Sequence, residues 1–530
     1  MKELIRKIIT DALSDVPELP EIIIDIPRLK RFGDFSTNLA ILLAPRTSKR
    51  LPDLAQDLAQ KIADRDQGVI FSSVEAVKTG FINFKLKDEF LRQQIALIRK
   101  QGAQYGKSEL GKGKKVLIEF VSANPTGPLH IGHGRWAVIG DDIASVLQAA
   151  GYTVEREFYV NDVGNQVEKL EESVRAVATG GEVPEGGYGG FYVKEIAQNL
   201  KNEVNQPTFR NLLLNRILED QKRVLRELGV SFDRFFHEKD LHDSGQVKRA
   251  VEELKKQKVT FEEAGALWFK SQEYGDDKNR VLVRENGEST YFAADIAYHL
   301  DKFKRGYDQI INVWGADHHG YVLRLKAALQ SLKLPVEKFK IIIGQLVALF
   351  RGTEPVRMSK RTGEMITLEE VISEIGKDAT RFFLTMVTAS SHLEFDLELA
   401  KRQAPDNPVF YVQYAHARIR SIFREGDEKG IHLKDQVDLS FLTHEAERAL
   451  MRKLTDLPDN IITGARRMEP HILVEYVKEV SAIFHNYYHK CRVLSEDEKL
   501  TQARLALVDA TRITLKNVLE LLKVEVPERM

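Results

Sequence analysis

The sequence predicts a multidomain α/β protein, and three observations support this fold class. An apolar run at 114–121, a helical pattern at 136–150 and a second apolar run at 153–160 follow one another closely, as in a βαβ unit with two parallel strands. After about residue 400 the apolar spacing is helical to the end of the chain. The 530 residues allow about three or four domains, each large enough for its own core.

Three domains are predicted along the chain. Residues 1–110 mix short helices with strands and predict a small α+β domain. Residues 111–400 contain the βαβ unit and are interrupted by a polar, helical insertion from about 165 to 265. Residues 401–530 predict an all-helical domain. The first residues of the chain form an amphipathic pattern with acidic residues, so we expect them to belong to a folded domain rather than to a signal peptide.

The segment Pro125–His133, with the sequence PTGPLHIGH, lies where the first strand of this unit gives way to its helix. His130 and His133 are three residues apart, so they share one face of a helix, and Gly127 and Gly132 leave the backbone bare. The start of such a helix attracts anions through its free N–H groups and its dipole. The pattern predicts a triphosphate site in which both imidazoles stabilise charge at the α-phosphate. In the alternative interpretation, the histidines only cap or pack the start of the helix.

The same segment resembles the ATP-binding motif of the class I aminoacyl-tRNA synthetases, whose catalytic domain is of the Rossmann type. Further along, Arg357–Arg361, with the sequence RMSKR, resembles the Lys-Met-Ser-Lys-Ser loop of that class, although arginine replaces the first lysine and the last serine. The retained Lys360 would neutralise the leaving pyrophosphate, as the resemblance implies. The resemblance also implies ATP contacts from Gly132, Met358 and Ser359. Taken alone, the pentapeptide fits a solvated basic turn equally well.

Four residues near these motifs predict which amino acid is activated. Glu119 lies in the first apolar strand, where an unpaired carboxylate is costly, so it needs a cationic partner. Tyr291 and Asp295 converge if they lie on a helix, and with Glu119 and Asn124 they resemble the arginine pocket of the arginyl-tRNA synthetase family. A guanidinium offers five N–H donors in a planar fork that two carboxylates can satisfy, whereas lysine is a point charge and citrulline is neutral. The alternative is that Glu119 pairs with a basic residue of the protein itself.

A second strand, predicted at 310–314, ends in the turn GADHHG. Residues in this position of the family line the adenosine pocket, so the resemblance implies that Gly315, Asp317 and His318 contact the ribose and the adenine. A metal site at Asp317, His318 and His319 is not expected. Adjacent histidines on a tight turn point apart, and the ligand spacing of a zinc site is absent.

The two flanking domains are expected to contact tRNA. The first resembles the added N-terminal domain of the family, in which Phe81 would stack on an unpaired base and Asn83 would read its edge. Alternation along an edge strand explains both residues equally well. The helical region resembles the anticodon-binding domain of the family, which implies that Tyr487, Tyr488 and Met530 approach anticodon bases. Core packing is an equal alternative for the two tyrosines.

Composition limits the possible partners and cofactors. Basic and acidic residues both number 78, so RNA must bind to local basic surfaces such as 28–31 rather than to a general positive field. Cys491 is the single cysteine, which excludes an internal disulfide and a multi-thiolate zinc site. No apolar run reaches the length of a membrane span. We therefore expect a cytoplasmic protein without structural zinc and without a membrane partner.

The resemblance covers nearly the whole chain and implies the ligation of L-arginine to tRNA(Arg). ATP, with Mg²⁺ held mainly by phosphate oxygens and water, would activate arginine to arginyl-adenylate, which would then pass arginine to the terminal ribose of the tRNA. The family further implies a monomer and adenylate formation that requires bound tRNA.

Three alternative functions remain open at this point. A cysteinyl-type synthetase would hold zinc with thiolates, and the single cysteine argues against it. A small-molecule nucleotidyltransferase would need neither the Lys360 loop nor the helical tail. A non-catalytic RNA-binding relative would not need the intact histidine and lysine motifs.

Overall fold

The computed structural model describes residues 1–356 and 366–530. The predicted loop Arg357–Arg361 lies outside the described residues, so the roles of Met358, Ser359 and Lys360 stay predictions. Among the described helices, none is long and apolar enough to cross a membrane.

A five-stranded parallel sheet lies at the centre of the protein. Its strands, in spatial order, are Phe339–Gly344, Gln309–Gly315, Lys115–Glu119, Thr153–Val160 and Arg234–His237. The first strand along the chain, Lys115–Glu119, is the middle strand of the sheet, and the later strands add outward on its two sides. The strand order therefore reverses between Lys115–Glu119 and Gln309–Gly315. Ligands bind at the carboxyl ends of strands beside such a reversal. The predicted βαβ unit is confirmed, and its helix, here called the histidine helix, is Ile131–Ala149.

The histidine helix is apolar on nearly all sides because it is covered by the sheet and by later helices. Its two buried acids, Asp141 and Asp142, both pair with the buried Arg381, at 2.9 and 2.5 Å. Burial raises the pKa of Asp142 to about 7 in spite of that arginine. Lys523, two residues after the end of the last helix, donates to Asp141 at 2.8 Å, so this polar cluster also ties the C-terminal segment to the histidine helix.

The predicted helical insertion at 165–265 is wrong in its extent. Three helices begin it as expected, namely Asn165–Ala178, Phe191–Asn199 and Phe209–Glu227. The chain then returns to the parallel sheet as its edge strand Arg234–His237, which pairs with Thr153–Val160. Helices Glu238–Asp243 and Gln246–Lys256 follow, and then an antiparallel sheet of Thr260–Glu263, Ala266–Phe269 and Arg280–Val283. A four-residue strand between long helical patterns gives too weak a signal of period two to be recognised.

The N-terminal domain is α+β, as predicted. Its helices are Lys2–Ala12, Leu39–Leu43, Leu51–Asp66 and Asp88–Gln101. Its antiparallel sheet has the order Phe35–Thr37, Ile82–Leu86, Phe71–Ala76. The strand that carries Asn83 is therefore central, so the alternative interpretation, which explained Phe81 and Asn83 by alternation along an edge strand, is wrong. Asn83 pairs with Ser36 on one side and with Glu75 on the other, so its backbone is committed to the sheet.

The C-terminal region is all-helical, as predicted. Its main helices are Pro408–Glu428, Glu445–Leu454, Leu457–Arg467, His471–Lys490 and Glu498–Leu521. The N-terminal domain docks on them through Arg448, which pairs with Asp34 and Asp88, both at 2.8 Å. Burial opposes the charge on Asp34, but the hydrogen bonds from Arg448 and the Leu86 N–H, together with the charges of Arg448 and Arg452, outweigh it and hold the pKa of Asp34 below its usual range. The first and last domains are thus joined by a charged contact that either domain alone would lack.

A small sheet connects the parallel sheet to the C-terminal helices. It contains Val347–Arg351, Glu354–Pro355 and Leu393–Asp396, and we call it the small sheet below. Helix Leu368–Thr385 lies between its second and third strands along the chain and begins with a capping box formed by Thr367 and Glu370. Three further helices of the middle region are Tyr291–Lys304, here called the pocket helix, Tyr321–Ser331 and the short Leu397–Lys401.

Candidate active site

The two histidines lie at the start of the histidine helix, at the carboxyl edge of the parallel sheet. His130 precedes the helix as its N-cap, and its Nδ1 accepts from the backbone N–H groups of Gly132, at 3.1 Å, and of His133, at 3.4 Å. His133 Nδ1 accepts in return from the N–H of His130 at 3.3 Å, and the rings stack with centroids 3.7 Å apart. His130 therefore caps the histidine helix, as the alternative interpretation states. These bonds use the Nδ1 atoms and hold the two rings side by side.

Two contacts tie the histidines to the segment that follows the undescribed residues. Leu368 N donates to Leu129 O at 2.8 Å, and Thr367 forms an isolated β-bridge with His130. Gly134 faces Leu368 so closely that a Cβ there would lie 2.5 Å from its side chain. Residues 367–368, shortly after the predicted loop, therefore lie next to the histidines.

Glu119 is buried at the end of the middle strand and already has a cationic partner. Its carboxylate accepts from Ser122 Oγ at 2.8 Å and from the ammonium of Lys302. Lys302 is fully buried, donates also to Asn312 Oδ1 at 2.9 Å and lies over the ring of Tyr298. The alternative interpretation, in which Glu119 pairs with a basic residue of the protein itself, is therefore confirmed, and the role of Glu119 in binding arginine stays a prediction. Lys302 is seven residues after Asp295 on the pocket helix, two turns along one face, which is a signal that the sequence contained.

Asp295 and Tyr291 lie on the first two turns of the pocket helix, as predicted. The Asp295 carboxylate accepts a hydrogen bond from the hydroxyl of Tyr321. Burial raises its pKa to about 7, with a further contribution from the Glu238 and Glu119 carboxylates, and no lysine or arginine of the described chain pairs with it. The Tyr291 hydroxyl accepts from the N–H of Asn165 at 3.2 Å, where the insertion begins.

Glu238 is a candidate residue that the sequence did not reveal. It is buried, directly follows the edge strand Arg234–His237, and so lies at the same carboxyl edge as Glu119. Burial raises its pKa to about 7, and the Asp162 carboxylate adds to the shift. His242 Nε2 is 3.6 Å away, and within the described residues no lysine or arginine pairs with Glu238. The sequence would have indicated Glu238 only if Arg234–His237 had been predicted as a strand, because Glu238 would then follow a strand end.

Asn124 belongs to a loop that the insertion holds in place. Its amide donates to Gln166 Oε1 at 2.6 Å, and its backbone oxygen accepts from Gln221 Nε2 at 3.0 Å. Gln221 also donates to Gly127 O at 2.9 Å, and Tyr192 donates to Thr126 O at 2.9 Å. The insertion therefore positions the segment that leads to the histidines.

The predicted adenosine residues lie at the end of the neighbouring strand. Gly315 ends Gln309–Gly315, and Asp317 and His318 are exposed on the one-turn helix that follows, with His318 Nε2 3.6 Å from the Asp317 carboxylate. The indole of Trp136 packs against Gly315, where a Cβ would lie 2.6 Å from it. Because Gly315 has no side chain, the indole of Trp136 can pack directly against its backbone. No group of three or more possible metal ligands occurs among the described residues.

The predicted tRNA residues have different environments. Phe81 is 38 % exposed and Met530 is 53 % exposed, so both are on the surface. Asn83 is almost fully buried in the central strand. Tyr487 is 0 % exposed, which matches the core-packing alternative, whereas Tyr488 is half-buried beneath the Arg418 guanidinium, 4.8 Å from its ring. The tyrosine pattern could not separate these two because adjacent helical residues point in different directions.

Models of known families match most of the chain. Residues 3–86 match the model described as arginyl tRNA synthetase N terminal domain. Residues 94–195 and 191–386 match the model described as tRNA synthetases class I (R), catalytic domain. Residues 412–530 match the DALR anticodon binding domain.

Whole-chain relatives agree with these matches. Arginine–tRNA ligase of Moorella thermoacetica is 45 % identical over 534 residues, which is 97 % of this chain and 94 % of the relative. The enzyme of the same name from Citrifermentans bemidjiense is 46 % identical over 531 residues, 97 % and 96 % of the two chains. The solved structure of Thermus thermophilus arginyl-tRNA synthetase covers 100 % of both chains with a TM-score of 0.81 at 24 % identity, a likeness of fold. Arginyl-tRNA synthetase of Plasmodium falciparum shares that fold at a TM-score of 0.75 and 18 % identity, over 100 % of this chain and 99 % of the other.

Proposed function

The chain belongs to the arginyl-tRNA synthetase family and is an arginine–tRNA ligase, and we propose that the residues described above divide its reaction between two ends of one site. In the first step, the arginine carboxylate attacks the α-phosphate of ATP, arginyl-adenylate forms and pyrophosphate leaves. In the second step, a hydroxyl of the terminal tRNA ribose attacks the arginyl carbonyl and AMP leaves. Both steps depend on orientation and charge neutralisation more than on covalent catalysis.

At the histidine end, His130 and His133 bind the α-phosphate at the start of the histidine helix, where the helix dipole also favours an anion. This role is supported by the stacked rings and by the Nδ1 hydrogen bonds that fix them. Lys360 neutralises the leaving pyrophosphate, and Met358 and Ser359 contribute to ATP binding. Gly132, Gly315, Asp317 and His318 take the rest of ATP. Mg²⁺ accompanies the phosphates and is held mainly by their oxygens and by water.

At the carboxylate end, Asp295 and Glu238 bind the guanidinium of arginine and Tyr291 covers it. The supporting observation is that both acids have a pKa raised to about 7 and that, in the described part of the chain, neither has a lysine or arginine partner. The positive charge of a guanidinium stabilises the charged forms of both acids, and its planar N–H groups can form bidentate hydrogen bonds with them. Glu119, whose charge is balanced by Lys302, and Asn124 take the α-ammonium of the substrate.

The flanking domains bind tRNA(Arg) in this proposal. Phe81, directly before the strand Ile82–Leu86, stacks on an unpaired base, and Asn83 in that strand contacts the edge of the base. Tyr488 and Met530 approach the anticodon, with support from the exposure of Met530 and from the Arg418 guanidinium on Tyr488. The enzyme works as a cytoplasmic monomer.

Two acids at one end of the site that have no lysine or arginine partner in the described chain, Asp295 and Glu238, carry the proposal, and the choice of amino acid tests it. Purified protein is given total tRNA, ATP and Mg²⁺ with each of the twenty amino acids in turn. We expect charging with arginine only. Charging with lysine at a comparable rate would contradict the guanidinium pocket, and charging with a neutral amino acid would contradict any pocket built from these acids.

A further inference from the structure

Arg135 is a buried cation two residues after His133, and none of the roles above involves it. Its side chain is fully buried in the histidine helix, and among the described residues no carboxylate pairs with it. Burial lowers the pKa of its guanidinium to about 10, so it remains charged at neutral pH. A buried charge without a counter-ion is costly unless hydrogen bonds satisfy it. The partners of Arg135 therefore indicate what it is for.

Four main-chain carbonyl groups accept hydrogen bonds from the two terminal nitrogens of Arg135, whereas its buried Nε has no partner among the described residues. Nη1 donates to Gln345 O at 2.9 Å and to Leu346 O at 3.3 Å. Nη2 donates to Thr388 O at 3.0 Å and to Ser391 O at 2.8 Å. The planar fork of arginine can reach two separate chain segments at once, whereas an ammonium has three donors at one point. Arginine, and not positive charge alone, fits this position.

The four carbonyls belong to two irregular segments that flank strands of the small sheet and that also hydrogen-bond to each other and to its last strand. Residues 345–346 directly continue the strand Phe339–Gly344 and lead into the small sheet. Residues 388–391 lead into its last strand, and Gln345 N donates to Ala389 O at 2.8 Å. Arg135 thus fastens both segments to the histidine helix.

The segment held by Arg135 adjoins the adenosine side of the site. Gly344 pairs in register with Gly315, the last residue of the next strand. Trp136, the neighbour of Arg135, packs against both glycines, and a Cβ at Gly344 would lie 2.5 Å from its indole. Arg135 and Trp136 therefore hold the backbone at 344–346 between them, at the strand ends where the ATP-binding turn begins.

We propose that Arg135 is a positioning residue for ATP, because its guanidinium fixes the backbone at 344–346 as the adenosine wall of the site. This role rests on the proposed function, in which Gly315 and its turn bind adenosine. The arginine pocket is built on other elements, namely the middle strand, the edge strand and the pocket helix. Loss of Arg135 should therefore affect ATP and arginine unequally.

Kinetics of Arg135→Lys and Arg135→Gln, measured with tRNA present, test this role. We expect both variants to raise the KM for ATP roughly tenfold to a hundredfold, since small misplacements of a binding wall have effects of that size. The KM for arginine should stay within about twofold of the wild-type value under the same geometric argument. Wild-type kinetics in Arg135→Lys would mean that charge alone suffices and would overturn the proposal. Equal rises in both KM values would overturn it as well.

Arg156→Gln is the matched control. Arg156 is a buried arginine that pairs with Asp141 of the same helix at 3.1 Å and does not touch the 345–346 segment. We expect a lower Tm and equal, small changes in the two KM values. An ATP-specific rise in this control would show that any buried arginine gives the effect and would refute a special role for Arg135.

Gly344→Ala keeps the test decisive if the Arg135 variants fold poorly. Its new Cβ would collide with Trp136 and displace the same backbone, so we expect the same ATP-specific rise in KM. An unchanged KM for ATP in a folded Gly344→Ala protein would contradict the proposal. If the wild-type protein does not charge tRNA with arginine, the proposed function is contradicted. If the wild-type protein does charge tRNA with arginine but the variants lack the ATP-specific rise in KM, only the role of Arg135 is contradicted.

Discussion

The histidine end and the carboxylate end of the same sheet edge are built in opposite ways. At the histidine end, a helix start, two imidazoles and the nearby Arg135 are all pinned by hydrogen bonds, most of them to main-chain atoms. At the carboxylate end, Asp295 and Glu238 are acids whose charged forms are disfavoured, with pKa values raised to about 7. One end is fixed by geometry before any ligand arrives. The other is left electrostatically unsatisfied.

This difference follows from what each end must recognise. A reacting phosphate needs donors in place before charge develops on it, so rigid placement is the useful property. A guanidinium substrate brings its own charge, so the acids that receive it gain most if nothing else neutralises them. Glu119 departs from this rule because Lys302 neutralises it within the protein. Recognition of the guanidinium should therefore depend on Asp295 and Glu238 more than on Glu119.

The largest expected effect is that of Asp295→Asn. Removal of one member of a buried ion pair costs about 3–5 kcal/mol, so kcat/KM for arginine should fall roughly a hundredfold or more while the KM for ATP changes little. Asp301→Asn on the same helix is the control, since Asp301 already pairs with Arg305 at 3.1 Å and should leave the KM for arginine unchanged. Unchanged arginine kinetics in Asp295→Asn would remove Asp295 from the pocket.

Lys360→Ala tests the other end of the site. We expect adenylate formation to slow by about a hundredfold, the usual effect of losing one charge-stabilising group, with arginine binding almost unchanged. The measurement is arginine-dependent ATP–pyrophosphate exchange in the presence of tRNA, beside an equilibrium titration with arginine. Equal losses in rate and in arginine affinity would mean that the loop is structural.

His130→Asn separates capping from catalysis at the histidine end. Asparagine is a good N-cap, so the start of the histidine helix should stay stable and the Tm should change little. The rate of adenylate formation should still fall by about tenfold or more, because the imidazole is gone. A rate close to the wild-type value would show that His130 serves only as the cap, which leaves His133 as the reacting histidine.

The smallest expected effect is a pH dependence confined to the carboxylate end. Because the pKa values of Asp295 and Glu238 are raised to about 7, both acids carry protons below that pH and lose them above it. Arginine binds the deprotonated forms, so its KM should fall by several-fold to about tenfold between pH 6 and pH 8. The KM for ATP is the internal control and should change less. A KM for arginine that is flat over this range would contradict the raised pKa values.

The sequence predicted best those features whose residues lie close together along the chain. The strand Thr153–Val160 has the predicted bounds, and Pro125–His133 does connect a strand to a helix. Pairings between distant residues were missed, such as Glu119 with Lys302, which are 183 positions apart. Glu238 was missed because it follows a strand of four residues, and Tyr487 was ambiguous because an aromatic pattern does not reveal which residue faces the core.

Discrimination between arginine and citrulline at pH 8 tests the central claim most directly. The two molecules have nearly the same shape, but citrulline is neutral and would leave the half-buried Asp295 and the buried Glu238 charged without a cationic partner. We predict that citrulline inhibits arginine charging with an inhibition constant roughly a hundredfold or more above the KM for arginine. The double variant Asp295→Asn, Glu238→Gln should lose most of that discrimination. Citrulline binding within about tenfold of arginine in the wild-type enzyme would contradict recognition by these two carboxylates.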